Sequence, residues 1–437
     1  MKAREIFLAL ALIAFGALTY YAKSGRLQIE GDGGWLFWGH TEEFLFEETA
    51  QTIPGPLPRE LRVINAHGAV EIRGEETDAI TVTFRKSVNR RTREEAQKVA
   101  DQLKMVVNRE EPRLILSTNR DDFRRKNFET RFTITVPLRM AVFVRNSYGP
   151  VKIEKTGAAD IVNPHGAVSA GAIGGRLAVD SSYEDVDVHD VQGDARITAS
   201  HDKIIAVGIR GELLVDAPYA EIFIEDADRN VRVGALHSSV NGKNLKGEVE
   251  IKNSYETVVL AGTGPAKIFG HHSDIEAEGI AGPLEIGNAY AKLTLGGVNG
   301  DLRIEGANLE VHAERVTARE IYVGTSYENI EILGFSGKAT IVQRHGDVAL
   351  EPAELTGPID VRASYAAVRL GWPAGLRAPF EGETKSGVIH WNLADKPAFE
   401  ETNGKSVTRA YPDAAGPGIK ILTSYGDIRI EPRREKR

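Results

Sequence analysis

A repeat with a period of 18 residues constrains the fold of this chain more than any other feature. When Tyr183, His201 and Tyr219 are aligned, apolar residues follow each of them at offsets +3, +5, +8, +12 and +14. After Tyr183 these residues are Val186, Val188, Val191, Ala195 and Ile197. Each unit contains two stretches in which every second residue is apolar. This spacing predicts two short strands whose alternate side chains face one interior. Two strands and two turns per unit predict one coil of a solenoid, with equivalent strands paired in parallel.

The repeat extends from residue 148 to residue 386, with one aligned position in each coil. These positions are Tyr148, His165, Tyr183, His201, Tyr219, His237, Tyr255, His272, Tyr290, Asn308, Tyr327, His345, Tyr365 and Ser386. About fourteen coils at ~4.8 Å each predict a rod roughly 65–70 Å long.

A glycine precedes the second strand in many coils. Examples are Gly193, Gly211, Gly247, Gly282 and Gly300. Glycine adopts positive φ at little cost, so we expect these positions to be turns with that backbone conformation.

Tyrosine and histidine alternate along the aligned column. The candidate surface ladder comprises Tyr148, His165, Tyr183, His201, Tyr219, His237, Tyr255, His272, Tyr290, Tyr327, His345 and Tyr365, with His67 and Tyr425 in matching turns. One interpretation is structural, because rings one coil apart can stack along the rod. The other is a binding platform for a metal or a carbohydrate.

The coil length decides between a shared metal ion and isolated histidines. In an 18-residue coil, successive histidines lie two coils apart, roughly 9–10 Å, which is too far to share a zinc ion. In a 36-residue coil they would stack at ~4.8 Å, and a shared ion becomes conceivable. We favour 18 residues because the apolar pattern repeats at 18, and we predict neither a metal nor a cofactor.

The N-terminal segment, residues 1–24, has the pattern of a signal peptide or a signal-anchor helix. Lys2 and Arg4 precede an apolar run over residues 6–21. A positive flank before such a run is typical of export. If uncleaved, residues 6–21 would hold the protein at the membrane, facing the periplasm or the cell exterior; if cleaved, the protein would be secreted. Residues 25–60 are expected to form an irregular tether. This segment is first glycine-rich, then acidic and then proline-rich.

Two segments interrupt the repeat and are predicted to cap the rod. In residues 61–145, one coil is followed by a helix at 92–107, where Thr92 and Glu95 form a capping box. A hairpin of strands 113–118 and 131–136 follows. After the regular coils of 146–370, residues 371–418 are expected to form an irregular cap. Residues 419–437 would add a final strand that closes the stack, followed by a basic tail.

Composition excludes several functions. The chain has 437 residues and no cysteine, which rules out disulfides, thiolate metal sites and a cysteine nucleophile. Its formal net charge of -8 favours no nucleic-acid partner. Acidic residues alternate with apolar ones, as on a solvated sheet face. The alternative to a non-catalytic protein is a carbohydrate-active β-helix enzyme, which requires converging acids; residues 371–418 are where we would expect them.

The turn motifs resemble those of two bacterial adhesin-like families, DUF4097 and DUF2807. The resemblance rests on TITVP followed by VFVRNSYGPVKIEKTGA at 133–158, and on the recurring SYG and HG turns. It implies an exported, right-handed parallel β-helix with an adhesive or scaffolding role and no catalytic residues. We therefore predict an all-β, non-catalytic monomer that binds a glycan or protein of the bacterial envelope.

Overall fold

The computed structural model describes residues 41–394, 397–402 and 405–433. Its body is a solenoid of about 13 turns, in which every coil pairs in parallel with the next. Val186 lies opposite Ile204, and Ile204 lies opposite Ile222. This register establishes the 18-residue coil and confirms the predicted all-β solenoid.

The strands of the body are β9 to β31. Their bounds are β9 (Ala141–Arg145), β10 (Val151–Glu154), β11 (Ala158–Asn163), β12 (Val168–Ile173), β13 (Leu177–Ser181), β14 (Val186–Val191), β15 (Ala195–Thr198), β16 (Lys203–Ile209), β17 (Leu213–Asp216), β18 (Glu221–Ala227), β19 (Val231–Leu236), β20 (Ser239–Leu245), β21 (Val249–Ser254), β22 (Val258–Thr263), β23 (Ala266–His271), β24 (Ile275–Ile280), β25 (Leu284–Gly296), β26 (Leu302–Glu314), β27 (Thr317–Thr325), β28 (Ile330–His345), β29 (Val348–Pro352), β30 (Ile359–Tyr365) and β31 (Val368–Trp372).

The interior of each coil is built from the residues that the repeat singles out. In the coil that follows Tyr183, all five apolar positions are at most 2% exposed. Small β-branched and aliphatic side chains fill the narrow space between the two strands of a coil, and each layer packs on the layers above and below. Burial of this apolar surface is the main stabilising contribution in a chain without disulfides.

The glycines before the second strand are required by close packing, and the expectation of positive φ is wrong for most of them. Of the five named above, Gly282 alone has a positive φ, at 149°. A Cβ on Gly193 would lie 2.7 Å from the carbonyl carbon of Gly175, and one on Gly211 would lie 2.4 Å from that of Gly193. The turns of successive coils therefore stack too closely for a side chain.

Buried asparagines close several of the turns that carry the aromatic column. Asn146 is fully buried, and its Nδ2 donates to the carbonyl oxygens of Gly149 at 2.8 Å and of Gly68 at 3.1 Å. Asn163 donates in the same way to Gly166 and Gly149. One side chain thus ties its own turn to the turn of the preceding coil, and it satisfies carbonyl groups that the strand ladders leave unpaired.

The N-terminal end contains eight strands and one α-helix. They are β1 (Glu42–Glu47), β2 (Gln51–Ile53), β3 (Glu60–Ile64), β4 (Val70–Glu75), β5 (Ile80–Arg90), α1 (Arg93–Gln102), β6 (Met105–Glu110), β7 (Arg113–Thr118) and β8 (Phe128–Pro137), with a short 3-10 helix at Arg120–Asp122. Here chain order and spatial order differ. The coil of β3 and β4 lies between β9 and β10 on one side and β7 and β8 on the other.

The predicted helix exists but is shorter than 92–107. Thr92 caps α1 by accepting a hydrogen bond from the N–H of Glu95, as expected. The helix ends at Gln102, where the Asn119 side chain accepts from the N–H of Lys104 and donates to the carbonyl of Gln102. The β-branched residues that follow belong to β6.

The predicted hairpin pairing is also wrong. Strand β7 pairs antiparallel with β6, not with residues 131–136. Those residues belong to β8, which pairs antiparallel with β5 and parallel with β4. Residues 42–53, expected to be irregular, form β1 and β2 along β5. Residues 1–40, which include the predicted signal peptide or signal-anchor helix and the start of the expected tether, lie outside the described residues.

The C-terminal end contains the strands β32 to β37. They are β32 (Phe380–Thr384), β33 (Ile389–Trp391), β34 (Ala398–Thr402), β35 (Lys405–Ala410), β36 (Ile419–Thr423) and β37 (Ile428–Pro432). Strands β36 and β37 pair with β30 and β31 on one side and with β32 and β33 on the other. The last coil in sequence is therefore inserted one layer in from the end.

Two expectations about this end are therefore wrong. The described residues of 371–418 are not irregular, because they form the outermost coil and the β34–β35 hairpin. The final strand does not close the stack. An aromatic cluster covers the outer layer instead, with Trp391 lying 5.4 Å from Phe380 and 5.6 Å from Trp372 between ring centroids. No helix within the described ranges has the length and apolar character needed to cross a membrane.

Candidate binding surface

The aligned turns bring ten rings into one continuous stack along the side of the solenoid. In order these are His67, Tyr148, His165, Tyr183, His201, Tyr219, His237, Tyr255, His272 and Tyr290. Neighbouring centroids lie between 4.5 Å (His67 to Tyr148) and 5.5 Å (Tyr183 to His201), and the planes deviate by 16° at most. We call this column the ring ladder.

The ring ladder is interrupted at Asn308 and then continues for four rings. Tyr327, His345, Tyr365 and Tyr425 stack at 4.8, 4.9 and 4.8 Å. The sequence alignment placed Ser386 after Tyr365, and this is wrong, because the inserted last coil brings Tyr425 to that position. The SYG turn of residues 424–426 was the available signal.

Most ring residues of the ladder have a backbone conformation that side chains rarely adopt. Tyr183, His201, Tyr219, His237 and Tyr255 all have φ between 55° and 78°. In three of the HG and YG turns the following glycine takes the positive φ instead: Gly68 with 114°, Gly149 with 103° and Gly346 with 92°. The left-handed conformation costs a non-glycine residue roughly 1–2 kcal/mol. It sets the outward direction of the rings that adopt it, and stacking offsets the strain.

Stacking determines what the ladder offers to a partner. Each interior ring has both faces covered by its neighbours, so a sugar ring cannot stack on it. Tyr219 is still 53% exposed, and its exposed part is the edge of the ring with the hydroxyl group. The ladder therefore presents a row of hydrogen-bonding groups, one per coil, in which phenol alternates with imidazole.

The ladder histidines do not converge. A tyrosine ring separates each from the next throughout the column from His67 to His272. The described residues contain no group of three or more His, Asp or Glu side chains that could hold a metal ion. At the N-terminal end, burial lowers the pKa of His67, and the nearby Arg120 guanidinium adds to the effect.

A buried carboxyl lies beside the ladder and was missed by sequence reasoning. Asp202 is 6% exposed, next to His201, at the edge of a depression of about 410 Å³ that Tyr219 and His237 also line. Among the described residues neither of its oxygens makes a hydrogen bond of normal geometry. Burial raises the pKa of Asp202 to about 6, and the backbone N–H groups of Ser200 and Glu184 only partly oppose this rise.

A second feature that the sequence did not reveal is a charged groove on the outward face of the strands. His312 Nδ1 lies 2.9 Å from Glu331 and its Nε2 lies 3.5 Å from Glu314. Depressions of about 320 and 460 Å³ flank this histidine. The sequence period shows only that these side chains point outward into solvent. That they lie next to one another follows from the strand register of the folded structure.

Glu331 links this groove to a neighbouring group of ion pairs around Arg369. Arg369 lies 2.7 Å from Glu351, 3.2 Å from Glu431 and 3.8 Å from Glu331. Burial would lower the pKa of Arg369, but the hydrogen bonds that its guanidinium donates to Glu351 and Glu431 outweigh burial and hold that pKa above its usual value. Carboxylates paired in this way, such as Glu331 and Glu351, suit a structural network better than the free acid and base of a glycosidase.

The segment 371–418 is where the alternative of a carbohydrate-active enzyme would place its acids. The cap buries Trp372 and Phe380 beneath the β34–β35 hairpin. Around these rings the described residues pair Glu381 with Arg409 and Lys420, and Glu383 with Lys405. The segment therefore functions as a cover for the last layer of the solenoid.

One comparison with known proteins, that with family models, identifies a family for this chain. A family model described as Toastrack DUF4097 matches residues 59–431. A solved structure of a proposed cell adhesion protein from Clostridium sporogenes is 8% identical, covers 89% of this chain and 100% of its own, and has a TM-score of 0.17. A proposed adhesin from Bacteroides fragilis is 10% identical, with 89% and 96% coverage and the same TM-score. At that score neither structure supports an inference. No curated protein matches the chain.

Proposed function

Since the chain belongs to the Toastrack DUF4097 family over residues 59–431, we propose that it is an exported, non-catalytic binding or scaffold protein of the bacterial envelope, with the ring ladder as its contact surface. The observation that carries this proposal is the ladder itself. Ten ring residues, of which His67 and His237 are half-buried and the others exposed, follow one another at about 5 Å along one side of the solenoid. Such a row suits a long partner with repeating polar groups, such as an envelope glycan.

The chemistry of the ladder indicates how this contact would form. Ring faces are occupied by neighbouring rings, so recognition would rely on phenol hydroxyl and imidazole N–H groups. Each hydrogen bond adds only about 0.5–1.5 kcal/mol net. A contact made of many equivalent weak bonds is therefore expected to bind long polymers well and short oligomers poorly.

A substitution that removes the hydroxyl groups but keeps the rings tests this proposal. In the full-length protein, Tyr183, Tyr219 and Tyr255 are replaced together by Phe, and binding to purified peptidoglycan sacculi and to a glycan array is measured. We expect at least a tenfold loss of affinity with little change in stability. Unchanged binding by the triple variant would refute the ladder as the contact surface.

A matched control is available on another face of the rod. Tyr322 lies outside the ladder, and the Arg303 guanidinium packs over its ring at 4.8 Å from the centroid. Tyr322→Phe removes one hydroxyl without touching the column, so it should bind as the unmodified protein does. A loss in this control would point to a different face.

The membrane tether belongs to the same proposal and has its own test. Residues 6–21 would remain as an anchor if uncleaved. The intact mass of the protein recovered from membranes distinguishes the two outcomes, because a cleaved product would lack about the first 24 residues. Protease accessibility in spheroplasts, whose outer membrane has been removed, tests export, and complete protection of the solenoid would contradict it.

The capped ends support a monomer. At one end α1 and the strands along β5 cover the first layer, and at the other the β34–β35 hairpin covers the last. Solenoids associate end to end when a terminal coil exposes its backbone groups. Light scattering on the full-length protein should therefore give the mass of one chain, and a concentration-dependent polymer would contradict this.

A further inference from the structure

The ring ladder lacks a single ring, at Asn308, and this gap has the geometry of a slot. Tyr290 ends the first run of rings and Tyr327 begins the second. Asn308 occupies the coil between them, so one face of each tyrosine has no ring stacked on it. Everywhere else between His67 and Tyr425, each ladder ring in the described residues is followed by another.

The backbone at the gap is the same as at a ladder ring. The φ angles of Tyr290, Asn308 and Tyr327 are 58°, 54° and 73°. The N–H of Asn308 donates to the carbonyl of Ser326 at 2.8 Å, which is the coil-to-coil bond that His272 makes to Ala289. The side chain of Asn308 therefore starts in the direction a ring would take and is shorter than a ring.

The spacing of the coils sets the width of the slot. The two tyrosine rings are separated by two coil rises, roughly 9–10 Å, which is the separation of any two ladder rings that have a third between them. The outer part of this interval, beyond the Asn308 amide, is the place of one planar ring.

The rims of the slot are low. On one side lie Ala289, Ala307 and Ser326, and on the other lie Ala291, the buried Leu309 and the exposed Glu328. Glu328 is the one large exposed side chain among these six positions, and it adds a carboxylate to the rim next to Tyr327. Tyr290 and Tyr327 are each 59% exposed, so both walls of the slot reach solvent.

We propose that this slot binds one planar aromatic ring, inserted edge first between Tyr290 and Tyr327. Both faces of the guest would stack on tyrosine, completing the ladder. The Asn308 amide at the back would hydrogen-bond a ring heteroatom such as an indole N–H. The guest can be a free aromatic compound or the side chain of a polypeptide. Binding in the slot requires neither export nor an envelope polymer. Its test is therefore independent of the test of the proposed function.

The experiment uses the full-length protein and two probes, indole and N-acetyl-tryptophanamide. Binding is followed by calorimetry and by NMR shifts of the probe, which move upfield between two aromatic faces. We expect saturable one-to-one binding of indole. Equal or tighter binding of N-acetyl-tryptophanamide indicates a polypeptide source, and binding of indole alone indicates a free compound.

Three variants locate the bound probe. Asn308→Tyr fills the slot with the residue found at this position in other coils, and we expect binding to disappear while thermal stability is kept or raised. Tyr327→Ala removes one wall and should weaken binding at least tenfold. Tyr219→Ala opens a gap elsewhere in the ladder and leaves the slot intact, so it should keep the original site.

Two results would overturn the proposal. One is the absence of saturable binding of both probes to the unmodified protein. The other is binding to Asn308→Tyr with the same affinity as to the unmodified protein, because the guest would then lie elsewhere. Should the tyrosine variant fail to fold, the tenfold loss expected for Tyr327→Ala carries the same test.

Discussion

Tyr365 and Tyr425 stack with their ring centroids 4.8 Å apart and their planes 3° apart, although residues 366–424 lie between them in the sequence. This contact exists because the chain first builds the outermost coil and then returns to fill the layer beneath it. The C-terminal coil is thus held on both sides, and its removal would separate the outer layer from the rod.

Arg369 is expected to hold this inserted coil in place. Arg369→Ala would leave the Glu351 side chain, only 9% exposed, without its 2.7 Å partner, and would break the 3.2 Å pair with Glu431. Removing one member of a buried pair typically costs about 3–5 kcal/mol. Hydrogen exchange of the β36 and β37 amides should accelerate accordingly. Arg362→Ala, which breaks an exposed pair with Asp360, should change the same rates by about 1 kcal/mol or less.

Tyr219 tests how stacking and backbone strain oppose each other. It stacks on His201 and His237, both at 5.1 Å, and has φ of 59°. Tyr219→Ala loses both stacks and keeps the strain, so a loss of about 1–3 kcal/mol is expected. Tyr219→Gly loses the stacks but relieves the strain, and should be the more stable of the two by roughly 1 kcal/mol. Urea unfolding measures the stability of both variants. A Tyr219→Ala variant that is more stable than the Tyr219→Gly variant would contradict this expectation. Tyr219→Phe is the near-neutral control.

Asp202 should make stability depend on pH. Its folded pKa of about 6 lies above the ordinary value of 3.8, so the folded state binds the proton more tightly. The contribution of protonated Asp202 to the stability of the folded state is therefore complete below pH 3.8, and it is lost as the pH rises through 6. The difference of about 2 pKa units corresponds to roughly 3 kcal/mol. Asp202→Asn should stabilise the protein at pH 8 and have little effect at pH 3.5.

The control for this titration lies one coil earlier. Glu184 occupies the equivalent position after its ladder ring and is exposed to solvent. Glu184→Gln removes an exposed carboxyl and should not stabilise the protein at pH 8. If denaturant titrations gave the same effect of Asp202→Asn at both pH values, the folded pKa of Asp202 would equal its unfolded value, which would contradict the prediction.

Close stacking of turns predicts a large effect of a single methyl group. Gly211→Ala would place a Cβ 2.4 Å from backbone atoms of Gly193, and the two coils would have to move apart. Overpacking of this kind costs about 1–3 kcal/mol. For Gly171, an added Cβ meets nothing within 4 Å, so Gly171→Ala should be neutral or slightly stabilising. Thermal unfolding distinguishes the two, and equal melting temperatures would rule out the close-packing explanation.

The candidate surface was partly within reach of the sequence. The column from Tyr148 to Tyr290 follows from a repeat whose period equals one coil, because the same turn recurs with the same geometry. The position of Tyr425 does not follow, since adjacency there depends on the order in which coils are laid down. Asp202 and His312 look like any other polar residues between apolar ones, and only their surroundings distinguish them.

The sequence by itself determined the solenoid, its 18-residue coil and the buried positions, because each of these is a local pattern repeated many times. The tertiary structure alone decided the two ends, where β3 and β4 and then β36 and β37 lie one layer inside the outermost coils. Parallel strands with alternating apolar residues can pair with any similar strand. The choice among them depends on contacts between segments distant in sequence, such as those of Arg369 with Glu431 and of Tyr365 with Tyr425, and no local period encodes such contacts.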